Sequence, residues 1–354
     1  MKKWTSVLLV LFCCTVIGVS LATGELREVE DHAGRTVALP AVIERVVVAN
    51  MPPLTPVYCQ FMGQENRLVG MPSNSIQDNT ISHKIVPNLD NIATGFYAQG
   101  EINVEELAKL EPDVVLVSTF ADHIELLERA GFTVIAFDVQ RGGIDSLATV
   151  DAWYALLGQI FGMESQAKAI SAYNIGVKEM IDQRLASIAD EDMPTVLYLP
   201  WFTGEDGSMW TSPTGFVGEF YAQVTRAHNV GADASPNASL SVEEVAALNP
   251  SIIYLGSFIG SADEEVFYNS ELVQSFWSDL NAVKNQQVYQ LPGGFCNWFQ
   301  PTADSALSLL LQAKINHPAA FEDVDMTQSI RAYYQDFYGV EIADEEIAAM
   351  CGEQ

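Results

Sequence analysis

Basic residues are scarce in this chain of 354: 17 Lys and Arg stand against 46 Asp and Glu, for a formal net charge of -29. Nucleic-acid binding needs clustered cations, so that class is excluded. Histidine is equally thin, five residues at positions 32, 83, 123, 228 and 317, and no two sit at metal-ligand spacing. No metal site and no cofactor is expected. Cysteine is sparse: beyond Cys13 and Cys14 the chain has only Cys59, Cys296 and Cys351. An odd, scattered set excludes a disulfide scaffold; a single Cys59–Cys296 bridge or two buried thiols fit it. The sequence contains no G-x-x-x-x-G-K-S/T loop, no G-x-G-x-x-G after a strand, no H-E-x-x-H and no G-x-S-x-G. These local signatures of nucleotide sites, zinc hydrolases and serine hydrolases are therefore missing. Apolar runs long enough to span a bilayer are also absent, except at the N-terminus.

What is there reads as globular: 49% hydrophobic residues with 18% charged ones, in a chain long enough for two α/β domains. The acidity by itself speaks for solubility. Lys2 and Lys3 precede an apolar stretch from Trp4 to Ala22, and Ser20, Ala22 and Gly24 supply small residues for cleavage. Residues 1–24 are thus expected to be an export signal. The stretch is slightly long, which leaves an uncleaved N-terminal anchor as the alternative. Lipidation at Cys13 or Cys14 is disfavoured, because bulky residues precede both.

The chain then repeats itself. Residues 104–118 read VEELAKLEPDVVLVS and residues 242–256 read VEEVAALNPSIIYLG, an offset of 242 − 104 = 138. In each copy a polar residue (Asn103, Ser241) stands three places before a glutamate (Glu106, Glu244), the pattern of a capped helix start. A short helix with apolar residues at i, i+3 follows, and Pro112 or Pro250 stops it. The run after the proline is too apolar to have a wet face, which suits a central strand of a parallel sheet. Each copy is a helix–strand unit, and the repeat predicts two similar lobes. Glu105 and Glu243, at the second helical position, should project from the ligand-side rim of their lobes; complementing the helix N-terminus is their minimal role.

Residues 28–40, which include VEDHAGRTVALP, predict a hairpin around Ala33-Gly34. Strand 46–50, helix 54–63, strand 67–71 and a polar loop over 72–100 precede the first copy. A helix over 122–130, strand 133–138 and a helix over 145–161 follow it. From Glu164 to Ile188 neither proline nor a turn cluster interrupts the helical spacing, so the segment predicts a rod of about 40 Å joining two lobes. Strand 195–200, a loop over 201–215 and a helix over 216–228 lead to the second copy. Helix 270–278, strand 287–291 and helix 302–315 complete the second half. The expected organisation is a signal at 1–24, an N-terminal lobe at 25–162, a linker helix at 163–189, a C-terminal lobe at 190–316 and an acidic helical extension at 317–354.

Ligands of parallel α/β sheets bind at the carboxyl ends of the strands. Aromatic residues concentrate there: Phe96, Tyr97 and Phe120 in the first half, and Trp201, Phe202, Trp210, Phe258, Phe295, Trp298 and Phe299 in the second. Any one of these can be a packing residue, but several facing one cleft predict a large, flat or aromatic-bearing solute. Asn50 and Met51, ending the first buried strand, join them as candidate ligand contacts. Arg141, at a strand exit, is the candidate for an anionic ligand group, with Lys84 and Arg226 weaker.

Taken together, the export signal, the opening VEDHAGRTVALP…ERVVVAN, and the pair N-x-E-x-[IL]-x-x-L-x-P-D-V-V and S-x-E-x-[VL]-x-x-x-x-P resemble the class III periplasmic-type binding proteins of ABC importers for iron–siderophores, haem and cobalamin. The likeness runs from about residue 28 to 316. It implies two Rossmann-like α/β lobes joined by a single long helix, a cleft that closes only slightly, and an exported, monomeric receptor rather than an enzyme. It also implies that Glu105 and Glu243 dock on arginines of an ABC permease dimer with its ATPase, and that Trp298, with the loop carrying Trp201, Phe202 and Trp210, lines the cleft. The expected ligand is an iron(III)–siderophore complex, with cobalamin or haem as the alternative. A chelatase-like enzyme would need a metal-handling histidine beside a carboxylate, and neither His83 nor His123 has a visible partner. An adhesion protein would need repeats or Ser/Thr-rich stalks.

Overall fold

The computed structural model describes residues 27–63, 66–202, 209–233, 239–257, 265–269 and 277–351. The signal segment, with Cys13 and Cys14, lies outside them, as do Phe258 and most of the helix expected at 270–278.

Strands β1 (Glu28–Glu30) and β2 (Thr36–Ala38) pair antiparallel as the expected hairpin. Strands β3 (Val46–Val48) and β4 (Leu68–Gly70) come next, then the small hairpin β5 (Tyr97–Ala98) and β6 (Glu101–Ile102). The first repeat copy supplies β7 (Val114–Ser118), and β8 (Val134–Phe137) completes the half. The second half opens with β9 (Thr195–Leu199), β10 (Trp201–Phe202) and β11 (Met209–Trp210). Strands β12 (His228–Asn229) and β13 (Ser239–Leu240) follow, then β14 (Ile252–Leu255) from the second copy and β15 (Val288–Gln290).

Two separate four-stranded sheets result, ordered β4-β3-β7-β8 and β12-β9-β14-β15, and every pairing within them is parallel. In chain-local terms both orders are 2-1-3-4. Each repeat strand takes the central place beside the first strand of its sheet, Val114 opposite Val46 and Ile252 opposite Val196. The chain is therefore duplicated in topology as well as in sequence.

Alternation along these strands builds the layers. Val46, Val48, Val114 and Leu116 face one core with Val196, Tyr198, Ile252 and Tyr254. Val47, Val115 and Val117 face a second core, and Leu197, Leu199, Ile253 and Leu255 a third. A strand buried on both faces must be apolar throughout, which is why the runs VVV, VVLV and IIYL carry no polar alternation. The tyrosines of the second sheet keep a partner for each hydroxyl: Tyr198 donates to Gln312 at 3.0 Å and Tyr254 to Asn316 at 2.6 Å, both on helix Ser305–Asn316.

The linker helix runs from Glu164 to Leu185, 22 residues or about 33 Å. It buries Ala167, Ile170, Val177, Ile181 and Leu185 in the core shared by both halves. Its predicted last residues are instead a turn, and Pro194 leads into β9. The stretch 72–100, expected to be loop, contains helix Thr80–Ile85, capped by the Asn79 side chain on Ser82 N–H at 2.9 Å, and a short turn Leu89–Asn91. The C-terminal extension forms Pro318–Phe321, Met326–Tyr333, a continuation Tyr334–Tyr338 and Asp344–Met350.

Candidate functional site

The strand ends define the site. Pro52 and Pro53 follow β3, Ser73 to Gln77 follow β4, Ser257 follows β14, and Cys296, Asn297 and Gln300 follow β15. All of them line one cavity of about 630 Å³. Carboxyl-end loops from both sheets thus converge on a single cleft between the lobes, the position that parallel sheets offer to ligands. The two sides also touch: Gln77 N–H donates to the Phe295 carbonyl at 3.4 Å and Asn79 Nδ2 to the Gly294 carbonyl at 2.7 Å.

The lining is neutral. Among the described residues no charged and no aromatic side chain borders this cavity, although the protein carries a net charge of -29. Its polar groups are hydroxyls and amides. Two are buried without a hydrogen-bond partner among the described residues: Ser75 Oγ and Asn297 Nδ2. Asn297 is 7% exposed, and its Oδ1 accepts from Phe299 N–H at 2.7 Å. That bond fixes the amide orientation and leaves Nδ2 as an uncommitted donor. Burying such a donor costs free energy unless something accepts from it.

The aromatic expectations divide. Phe96, Phe202, Phe295 and Trp298 are all buried in the cores and offer no face to a solute. Each sits at a strand end where its apolar area serves the core better than a wet cleft. Trp298 is tied inward as well, its indole donating to Asp304 at 2.9 Å. Met51 is likewise a core residue, and Tyr97 packs half-buried on its hairpin. Phe120, Trp201 and Trp210 do reach solvent, at 61%, 44% and 51% exposure. Phe120 follows β7 and Trp201 follows β9, so both lie at the carboxyl edges. Trp201 pairs directly with Trp210, ring centroids 6.0 Å apart.

Asn50 sits at the end of β3, where it locks β3 to β7. Its Oδ1 accepts from Ser118 N–H at 2.8 Å, and its Nδ2 contacts Ser118 Oγ at 2.8 Å and His123 Nδ1 at 2.6 Å. Arg141 is exposed in the loop after the edge strand β8. Lys84 is committed elsewhere, 2.5 Å from Glu346 of the extension, and Arg226 donates to the Ile188 carbonyl at 2.8 Å. His83 pairs with Asp78 at 2.8 Å. Cys59 and Cys296 are separate buried thiols, and burial pushes both well above the usual thiol range. Among the described residues no cluster of three or more His, Cys, Asp or Glu side chains is placed to hold a metal ion.

Glu105 and Glu243 are both exposed at the second position of their helices, Val104–Ala108 and Val242–Leu248. The caps beneath them differ. Ser241 and Glu244 form the reciprocal box. Asn103 accepts from both Glu105 and Glu106 N–H at 3.1 Å, but Glu106 makes no return bond and pairs with Lys109 at 2.5 Å. The Asn103 N–H is instead donated to the Phe96 carbonyl at 2.7 Å, so no reciprocal box closes.

The neutral lining escaped the sequence reading. Ser73-Asn74-Ser75, beginning three residues after the end of β4, is a local signal of it, three small polar residues past a strand exit.

Comparison with known proteins supplies an independent view. The family model described as periplasmic binding protein matches residues 63–293. The molybdate-binding protein MolA of Haemophilus influenzae is 24% identical, covering 93% of this chain and 95% of its own. Its molybdate-bound structure superimposes with a TM-score of 0.73 at 22% identity over 90% of this chain and 99% of that one. The high-affinity heme uptake protein IsdE of Staphylococcus aureus is 26% identical over 59% of this chain and 70% of its own. A periplasmic solute binding protein from Veillonella parvula gives a TM-score of 0.80 at 24% identity, covering 93% of this chain and 97% of that one.

Proposed function

We propose that this chain, which belongs to the periplasmic binding protein family, is the extracytoplasmic receptor of an ABC importer and captures a compact, oxygen-rich metal anion in its inter-lobe cleft. The observation that carries the ligand class is the cleft lining: neutral hydroxyl and amide side chains, with no carboxylate among the described residues. Serine hydroxyls and amide N–H groups satisfy peripheral oxygens of an anion without a formal countercharge. The cavity of about 630 Å³ lies within the range of small-molecule sites, which supports an iron(III)–siderophore chelate as the larger candidate. A metal oxyanion presents the same oxygen surface at smaller size, and the long match to a molybdate-binding protein favours including it. Flat tetrapyrroles are disfavoured, because four of the rings expected to wall them, Phe96, Phe202, Phe295 and Trp298, are spent on the cores.

Within this reading the lobes are 25–162 and 190–316 with the connector at 163–189, and residues 1–24 direct export. Phe120, Trp201 and Trp210 stand at the carboxyl edges as the mouth, and Arg141 adds positive charge at the outer end of the first sheet. Glu105 and Glu243 meet the permease.

Tryptophan fluorescence tests this directly, since Trp201 and Trp210 are exposed. Titration with molybdate, tungstate, a ferric catecholate, a ferric hydroxamate, haem and cobalamin should give sub-micromolar quenching with one of the metal-oxygen species. Tight binding of haem or cobalamin with none of the others would reject the ligand class while leaving the receptor role intact.

A further inference from the structure

The C-terminal extension does more than cap the core. We propose that it positions the cleft loop 293–300, with Asp304, Tyr334 and Tyr338 acting as positioning residues for the Asn297 donor. The inference rests on the cleft being the ligand site.

Asp304 is fully buried, and it is where two segments meet. From the cleft loop it accepts the Trp298 indole N–H at 2.9 Å and lies 3.6 Å from Cys296 Sγ. From the extension it accepts Tyr334 Oη at 2.9 Å and Tyr338 Oη at 2.7 Å. A buried carboxyl group is tolerable only when its oxygens are satisfied, so each segment is held to Asp304 by the same requirement. The Tyr338 ring also stands edge-on to Phe295, centroids 5.5 Å apart.

The loop's glycines show how close the approach is. A Cβ on Gly294 would lie 2.5 Å from Met350 Sδ and 3.0 Å from Tyr334 Oη of the extension, and one on Gly293 would lie 2.6 Å from Gln77 Nε2 of the other lobe. The loop is therefore gripped from three sides: by Gln77 and Asn79, by Asp304, and by the extension. Asn297 is one residue from Trp298 and one from Cys296, both anchored to Asp304. Asn297, which lines the cleft, is thus held at a fixed place before any ligand arrives, which removes an ordering cost from binding.

Tyr334→Phe with Tyr338→Phe keeps both rings and deletes both donors. In the ligand-free, full-length mature protein, amide hydrogen exchange at 294–299 should rise about tenfold, a loss of about 1.4 kcal/mol, while strand β7 stays protected. Unchanged exchange in the loop, or an equal rise in both places, overturns the positioning role whatever the ligand proves to be. The second readout is a double-mutant cycle with Asn297→Ala, using molybdate and a ferric catecholate as probes. Each change alone should weaken the bound probe's Kd about tenfold, and the combination should cost little more than Asn297→Ala alone. Additive losses would show that the tyrosines act elsewhere and sink the proposal. A neutral Asn297→Ala, with the exchange result intact, would instead reject the cleft reading.

Discussion

A single buried side chain, Asn297, is the smallest unit of the proposed site. Asn297 accepts from Phe299 N–H through its side-chain oxygen, while its Nδ2 and, on the opposite lobe, Ser75 Oγ are buried without a hydrogen-bond partner among the described residues. Other polar side chains near the strand ends are spent on structure: Asn50 joins two strands, and Lys84 holds the extension. The same distinction separates the two repeat caps. Ser241→Ala deletes a reciprocal box and should destabilise the protein by about 1 kcal/mol, read as a lower midpoint in denaturant melts. A neutral outcome would mean that water replaces the cap without loss. The motif S-V-E-E, the better fit of the two to a capping box, announced this box, and the first copy does not form one. Sequence spacing showed Glu106 in reach of the Asn103 N–H; it did not show that the Phe96 carbonyl would take that N–H.

At the scale of elements, the repeated helix–strand unit sets the geometry. Each short helix carries two exposed glutamates in its first turn and leads into a strand that occupies the matching central position of its sheet. The reading of Glu105 and Glu243 as permease contacts predicts a clean separation. Glu105→Arg with Glu243→Arg should abolish uptake in cells, while the purified protein keeps its ligand Kd within about twofold, because neither side chain borders the cavity. Weakened ligand binding in the double variant would defeat the docking role. The helices and buried strands were legible because period-3.6 stripes and unbroken Val/Ile runs are local signals. Helix Thr80–Ile85 was not, since its six residues carry too little pattern to stand out from polar loop.

For the whole molecule, the lobes are separate as sheets yet continuous as a core. Residues from β3, β9, the linker helix, helix Ser305–Asn316 and the extension all belong to one buried cluster. Tyr333 of the extension completes the tie: it accepts from Gln60 Nε2 of the first lobe at 2.9 Å and donates to the Ala303 carbonyl of the second. Moving the lobes apart would open that cluster, and each fully exposed aliphatic or aromatic side chain costs about 1.5–3 kcal/mol. The inter-lobe distance, measured between spin labels on the exposed residues Glu101 and Gln223, should therefore shift by less than about 3 Å on ligand binding. This is the size of a side-chain adjustment rather than a hinge closure. A larger movement would contradict a shared core.

The sequence by itself determined the duplicated α/β plan, the rod between the halves and the strand edges at which a ligand site must lie. These follow from periodicity, caps and breakers, all of which act over a few residues. Only the tertiary structure decided which strand-end residues face the cleft. Phe96, Phe202, Phe295 and Trp298 share their neighbourhoods with Phe120 and Trp201, and nothing local tells a ring that will be buried from one that will be wet. The choice is made by how much apolar area the neighbouring layers leave uncovered. Here the cores took four of those rings, and serines and amides were left to line the cleft.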